Sequence, residues 1–386
     1  MKKRISFIFG TRPEAIKLAP LILKFRSSTK FDLNICVTAQ HRQMLDQVLE
    51  VFNIKPNIDL NLMKPNQTLA ELTAEVIKGL DQYFIKYKPH LVFVQGDTTT
   101  VLAASITAFY HKIRIAHVEA GLRTGDKYAP YPEEINRLLT SHLADLHFAP
   151  TKTSADNLLN EGIPQHKIFI TGNTVIDALF YIRDKIKKNP PKLEQIPEVI
   201  INNNLPIVLI TGHRRENFGE GFENICNAIA ELARQFRDHY FIYPVHLNPN
   251  VRKPVNQLLK GRKNVLLIDP LEYLPFIYLM TKAKIILTDS GGVQEEAPSL
   301  GKPVLVMRDL TERPEAVKAG CVKLVGTNKK LIIESAKELL SDDIKYKKMS
   351  TVINPYGDGK AAERIFNHSN TGKMSNQFEL LKTDSR

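Results

Sequence analysis

The chain has 386 residues, 43% of them hydrophobic and 24% charged, which excludes a disordered chain and, at about 100–200 residues per domain, predicts two globular domains. Cys36, Cys226 and Cys321 lie far apart with no CxxC or His/Cys ligand spacing, so a disulfide scaffold and a zinc cluster are excluded and a reducing cytoplasm is the expected compartment. No run of about 18 apolar residues occurs, which excludes a membrane-spanning helix, and the formal net charge of +12 suits a polyanionic partner.

The opening MKKRISFIFGTRPEA has a basic end and an apolar run of only about five residues, broken by a charged turn, so it reads as a first buried strand and not as a signal peptide. Further strands are predicted at Asn34–Thr38, Leu91–Gln95, Arg114–Val118, Leu146–Phe148 and Lys167–Ile170, after a first at Ile5–Phe9. Helices are predicted between them at Pro13–Arg26, Arg42–Val51, Leu69–Lys86 and Thr99–His111. Strands such as LVFV lack polar alternation, the pattern of a parallel sheet buried on both faces. Strand–helix–strand repetition predicts right-handed βαβ units in a doubly wound sheet.

Lys185–Asn204, rich in Lys, Pro and Asn, is predicted to be a surface connection. The pattern then restarts with strand Ile207–Ile210, helix Phe222–Phe236, and strands Tyr240–Tyr243, Asn264–Ile268, Lys284–Leu287 and Pro303–Val306. Two α/β domains follow, and the expected ligand site is a cleft between them. Gly10-Thr11-Arg12-Pro13-Glu14 after the first strand is echoed by Gly212-His213-Arg214-Arg215-Glu216 after the restart, both G-x-R-x-E at a strand-to-helix turn. The basic clusters Lys185–Lys188 and Lys345–Lys348 are short and scattered, unlike the patch of a nucleic-acid binder. A terminal helix is predicted over Asp358–Phe366, and the polar segment from Asn367 on is expected to be mostly disordered.

Four constellations carry chemistry. In Thr288-Asp289-Ser290-Gly291-Gly292, an apolar strand runs into glycines and then a helix, where free backbone N–H groups can hold an anion; the same glycines also suit a plain tight turn. Glu295 and Glu296 follow, placed either to reach ribose hydroxyls or as ordinary first-turn acids. The turn at Gly10-Thr11-Arg12-Pro13 starts a helix at its proline, and Arg12 and Lys17 bring positive charge to that start. Neither turn is G-x-G-x-x-G, which weakens a dinucleotide reading, and no G-x-x-x-x-G-K-[ST] occurs. Asp97 and Glu119 end strands, where the ligand crevice of an open α/β sheet lies, and Glu133 lies on the following loop or helix start. Three carboxylates around a neutral ring can supply a base, an acid and a cation stabiliser; taken singly they read as caps or solvated charges, above all Glu134, and together they could hold Mg²⁺. His213, with Arg214 and Arg215, can neutralise a leaving phosphate; His246 is ambiguous alone.

With these residues, the strings GTRPEAIKLAP, QGDTT, HVEAGLRTGDKY, PEEINR, GNTVIDAL, GHRREN, TDSGGVQEEAPSLGKPV, RDLTERPEA and NPYGDG run in order over residues 10 to about 360. Together they closely resemble the bacterial non-hydrolysing UDP-N-acetylglucosamine 2-epimerases. The resemblance implies a GT-B-type fold: two Rossmann-like, doubly wound parallel-sheet domains facing a central cleft. The domains would span 1–172 and 173–357, with a terminal helix over about 358–370 crossing back to the first and a tail at 371–386. It also implies a cytoplasmic homodimer that binds UDP-GlcNAc, UDP-ManNAc and UDP, with no nicotinamide, no essential metal, no nucleic acid and no membrane.

The reaction so implied inverts carbon 2 of the sugar, giving UDP-ManNAc for bacterial surface polysaccharide. That C–H is not acidic until UDP departs and oxocarbenium character at carbon 1 acidifies it; 2-acetamidoglucal and UDP form, and UDP re-adds with protonation of the other face. By motif, Asp97, Glu119 and Glu133 would be the acid, base and cation-stabilising carboxylates. His213 would serve the leaving phosphate, helped by Arg12 and Lys17. Ser290, Gly291 and Gly292 would hold the diphosphate and Glu296 the ribose, with uracil near Leu271–Phe276 and Arg313 near nucleotide or sugar. A second, activating substrate site would use Gln40, Gln43, Glu133, Arg214 and His246, with Asn66 where some members carry arginine. A hydrolysing relative, a GT-B glycosyltransferase and a binding protein without chemistry are the rival readings.

Overall fold

The computed structural model describes residues 2–38, 42–64 and 66–370, the side chains of 42–44 and 370 excepted. The described strands form two wholly parallel sheets. The first holds β1 (Lys3–Phe9), β2 (Phe31–Val37), β3 (Ile58–Asp59), β4 (Leu91–Gln95), β5 (Arg114–Val118), β6 (Leu146–Ala149) and β7 (Ile168–Ile170), in the order β3-β2-β1-β4-β5-β6-β7. The second holds β8 (Ile207–Thr211), β9 (Tyr240–Pro244), β10 (Val265–Ile268), β11 (Ala283–Thr288), β12 (Val304–Val306) and β13 (Val322–Leu324), in the order β10-β9-β8-β11-β12-β13. Each sheet therefore grows outward from its first strand, then reverses to the other side. The reversal lies between β1 and β4 in one and between β8 and β11 in the other, and leaves a crevice at the carboxyl ends of those strands.

Contacts divide the chain into two compact units, residues 1–178 with the segment from Gly357 on, and Leu179–Tyr356. The division falls inside the helix Thr174–Lys188, later than the 172/173 boundary expected from sequence. In the first unit, Phe7 of β1 stacks on Phe93 of β4 with centroids 4.7 Å apart, and Phe25 meets both rings. The helix Arg12–Arg26 buries Ile16, Leu18, Leu21, Ile22 and Phe25 against the sheet. The terminal helix Ala361–Asn370 packs Phe366 edge-on to Phe25 at 5.0 Å. It starts three residues later than predicted, because Asp358 turns back to bind Arg364 and the Lys360 N–H. Its first N–H groups, on Ala361 and Ala362, go to the Asp177 carboxylate. The helix runs on through Asn367 to Asn370, where sequence predicted the disordered tail to begin, because Ser369 is buried against the first unit; residues 371–386 lie outside the described residues.

In the second unit the helix Glu220–Gln235 buries Phe222, Ile225, Ile229 and Leu232 on the sheet. The predicted surface connection needs correction. The helix Thr174–Lys188 runs into it, a short helix follows at Glu198–Asn202, and Leu193, Ile196, Ile200 and Ile201 are buried. Its few apolar residues, spread through polar sequence, anchor the segment although its composition is that of a loop. β3 and β13, of two and three residues, escaped sequence reading because no periodicity shows over so short a run.

Candidate active site

In the first unit the chemistry-bearing residues gather where β1, β4 and β5 end. Glu119, one residue past β5, holds a left-handed backbone at φ +65°, a conformation costing a non-glycine residue of order 1 kcal/mol. Its buried carboxylate takes three donors: Lys17 Nζ at 2.5 Å, Asn173 Nδ2 at 3.0 Å and, on the other oxygen, Gln95 Nε2. Such strain persists where the surroundings over-determine it and is a mark of functional sites. Gly121 makes the next turn possible: at φ +88°, a Cβ there would lie 2.1 Å from the Ser154 carbonyl oxygen.

Asp97, partly exposed two residues past β4, accepts from Arg137 Nη2 at 2.6 Å, and Asn136 Nδ2 holds its carbonyl at 2.9 Å. Both partners lie on the helix Glu133–Leu143. Glu133 opens that helix and is partly buried. Glu134, read as a cap or solvated charge, is instead 4% exposed and accepts the Thr124 and Gly125 N–H groups, pinning the loop before the helix. His117 Nε2 donates to the Gly96 carbonyl at 2.7 Å, and burial pushes its pKa down to about 4, so the ring is a neutral donor. Arg12 is the first residue of the helix Arg12–Arg26. Lys17, one turn on, meets Glu119.

In the second unit the corresponding crevice is built around Asp289, fully buried just past β11. Its Oδ2 accepts the backbone N–H of His213 at 2.7 Å and of Arg214 at 2.8 Å. The His213 ring, 42% exposed, stands with Nδ1 3.5 Å from Asp289 Oδ1 and stacks on His246 at 5.3 Å. Partial desolvation holds His213 below its ordinary pKa; Asp289 opposes this, and His246 and Arg214 add to it. Ser290 precedes the short helix Gly291–Glu296, its N–H bonded to Thr288 Oγ1. A Cβ on Gly291 would lie 2.7 Å from Arg313 Cζ, so only glycine lets that guanidinium approach. Arg313 Nε reaches Glu295 Oε1 at 2.8 Å. Tyr273 donates its hydroxyl to Glu296 Oε1 at 2.7 Å, which brings the Leu271–Phe276 segment and Glu296 together.

The activating-site residues are only partly described. Asn66 is exposed at φ +57° ahead of the helix Leu69–Tyr87, and His246 Nδ1 accepts the Asn248 N–H. Gln40 and the Gln43 side chain lie outside the described residues. Sequence reading gave no role to Glu14, Gln95, Arg137, Asn173, Asp289 or Tyr273. For Gln95 and Asp289 a signal existed, a polar residue closing an apolar strand. Arg137 and Asn173 act on residues 40 and 54 positions away, which no local pattern reveals. Among the described residues no group of three or more His, Cys, Asp or Glu could hold a metal ion, and no helix is long and apolar enough to cross a membrane.

The family model described as UDP-N-acetylglucosamine 2-epimerase matches residues 23–369. The UDP-N-acetylglucosamine 2-epimerase of Escherichia coli K12 is 55% identical over 374 residues, covering 96% of this chain and all of that protein (100%). The crystal structure of UDP-GlcNAc 2-epimerase from Neisseria meningitidis bound to UDP-GlcNAc superposes with a TM-score of 0.89 at 54% identity, over 95% of this chain and 99% of that one. The Methanocaldococcus jannaschii UDP-GlcNAc 2-epimerase, in complex with UDP-GlcNAc and UDP, gives 0.79 at 38% identity, over 95% and 99%. With two Rossmann-like parallel-sheet units in one chain, the fold is of the GT-B type.

Proposed function

The chain belongs to the UDP-N-acetylglucosamine 2-epimerase family, and on that premise we propose that it interconverts UDP-GlcNAc and UDP-ManNAc without hydrolysis, by elimination and re-addition of UDP. The C1–O bond to the diphosphate breaks with its electron pair on UDP. A carboxylate takes the proton from carbon 2, whose acidity rises with the positive charge at carbon 1. The resulting 2-acetamidoglucal is reprotonated on the opposite face of carbon 2 as a UDP oxygen re-bonds carbon 1. Atoms and electrons balance with no redox partner.

Asp97, Glu119 and Glu133 share the roles of acid, base and cation stabiliser on the ring. His213 serves the departing phosphate with Arg12, while Ser290, Gly291 and Gly292 carry the diphosphate. Glu296, oriented by Tyr273, takes the ribose; uracil lies by Leu271 and Phe276, and Arg313 serves nucleotide or sugar. Lys17 helps Arg12 at the departing phosphate and balances the Glu119 carboxylate that it pairs with. The observation that carries the reading is Glu119: a carboxylate in a strained backbone, with three polar side chains converging on it at a strand end. The ligands of the Neisseria and Methanocaldococcus structures support the substrate class. The product feeds bacterial surface polysaccharide. A second substrate molecule activates the enzyme through Gln40, Gln43, Asn66, Glu133, Arg214 and His246.

The test is NMR of the purified protein with UDP-GlcNAc in D₂O, with EDTA and no nicotinamide. A stable mixture containing UDP-ManNAc with deuterium at carbon 2 is expected. UDP and free ManNAc rising to completion would make it the hydrolysing relative, and no reaction without an added acceptor would favour the transferase.

A further inference from the structure

Glu14 takes no part in the steps above, yet it is 1% exposed beside the crevice of the first unit. Its Oε2 accepts the backbone N–H of Gly10 at 3.1 Å and of Thr11 at 2.7 Å. Its Oε1 accepts the Thr98 hydroxyl at 2.9 Å. Gly10 and Thr11 form the turn after β1 that delivers Arg12. Thr98 follows Asp97 after β4 and caps the helix Thr99–Tyr110 through the Val101 N–H. One carboxylate therefore ties together the two turns that flank the reversal of strand order, one carrying Arg12 and the other Asp97.

The second unit solves the same problem with a different residue. There the turn after β8 presents the consecutive N–H groups of His213 and Arg214, and Asp289, beyond the neighbouring strand β11, accepts both. The G-x-R-x-E echo would assign that task to Glu216, but Glu216 pairs with Arg308 instead. The shared requirement is a buried carboxylate that closes the first turn of each sheet and links it to the strand across the reversal.

We propose that Glu14 is a positioning residue for the epimerase reaction: by bridging the Gly10–Thr11 turn to Thr98 it sets the spacing of Arg12 and Asp97. This rests on the roles read for those two residues. A displacement of about 1 Å at reacting groups can cost on the order of 10²-fold in rate, so the effect falls on kcat more than on KM. Glutamine can keep the geometry: its oxygen accepts both N–H groups, and its amide donates to a Thr98 hydroxyl that turns round to accept.

Steady-state kinetics with UDP-GlcNAc, on variants whose folding is checked by thermal denaturation, test this. Glu14→Ala should lower kcat about 10²-fold with KM within about threefold. Glu14→Gln should stay within about threefold of wild type. Thr98→Val, which removes the crossing bond together with the cap on the Val101 N–H, should lower kcat about tenfold, and Thr98→Ser, which keeps both, should restore it. The double variant should be no slower than Glu14→Ala, since both changes cut one link. Wild-type kcat in Glu14→Ala overturns the proposal, as does equal damage from Gln and Ala, or additive losses. If Glu14→Ala does not fold, the Thr98 pair decides: equal rates for Val and Ser overturn it. Asp97→Asn is measured alongside; wild-type turnover there sinks the reading of Asp97 and the proposal with it. Lost turnover there with an unresponsive Glu14 and Thr98 series sinks the positioning role alone.

Discussion

Buried titratable residues of the first unit contribute to how stability follows pH. Burial raises the Glu14 carboxyl from 4.5 to about 7, and lowers His117 and His147, partners in register on β5 and β6, from 6.5 to about 4 and about 3. The signs differ. Folded Glu14 keeps a proton that the unfolded chain has lost, so its contribution is complete below about 4.5 and disappears as pH rises through about 7. The histidines contribute above their ordinary value of 6.5 and lose that contribution as pH falls toward 4 and 3. At about 1.4 kcal/mol per tenfold change in proton affinity, the Glu14 effect is of order 3 kcal/mol. Calorimetry of Glu14→Gln should therefore show a Tm a few degrees above wild type at pH 8, the gap closing toward pH 4.5. A gap independent of pH would disprove the assignment. At this scale Asp97 and Glu119 were legible because acids at the ends of apolar strands stand out. Glu14 carried a local signal in the Thr11-x-x-Glu14 spacing of a capping box, but its bond to Thr98, 84 positions away, left no sequence trace, and Asp289 closes a turn 75 and 76 positions away.

Among elements, the terminal helix shows most clearly how distant segments depend on one another. Ala361–Asn370 is held by the Phe366 ring on Phe25 and Phe31 and by Asp177 at its first N–H groups. Phe366 is only partly buried, so Phe366→Ala should cost about 2–3 kcal/mol, at or below the lower end for a buried ring. Asp177→Ala should cost about 1 kcal/mol, as for loss of a cap. Urea denaturation of the full chain checks both; a change under about 0.5 kcal/mol in each would mean that the helix adds nothing to the first unit. Leu91–Gln95 was read from sequence with its observed limits because a near-continuous apolar run between turn residues is the pattern of a buried strand, and Arg114–Val118 because it recurs one helix further on in the strand–helix alternation. The segment 185–204 was misread because its five buried residues, Ile186, Leu193, Ile196, Ile200 and Ile201, are too sparse for a periodicity.

At the scale of the whole molecule, substrate activation is the property to test. Initial rates against UDP-GlcNAc should be sigmoidal, and rates from UDP-ManNAc should rise on adding traces of UDP-GlcNAc. A hyperbolic curve unchanged by such traces would remove the activating site, and with it any role for Asn66, Arg214 and His246 there. The sequence by itself determined the two parallel-sheet units, since apolar strands and helices alternate at local spacing, and it determined the family, since ordered motifs span nearly the whole chain. The tertiary structure alone decided which polar groups meet. Lys17, Gln95 and Asn173 converge on Glu119 from separate stretches of chain, and Glu14 and Asp289 do one task in two units although the matching motifs pointed to Glu14 and Glu216. Hydrogen bonds and ion pairs act over about 3 Å in space whatever the separation in sequence, so these partnerships exist only once the sheets have brought their strand ends together.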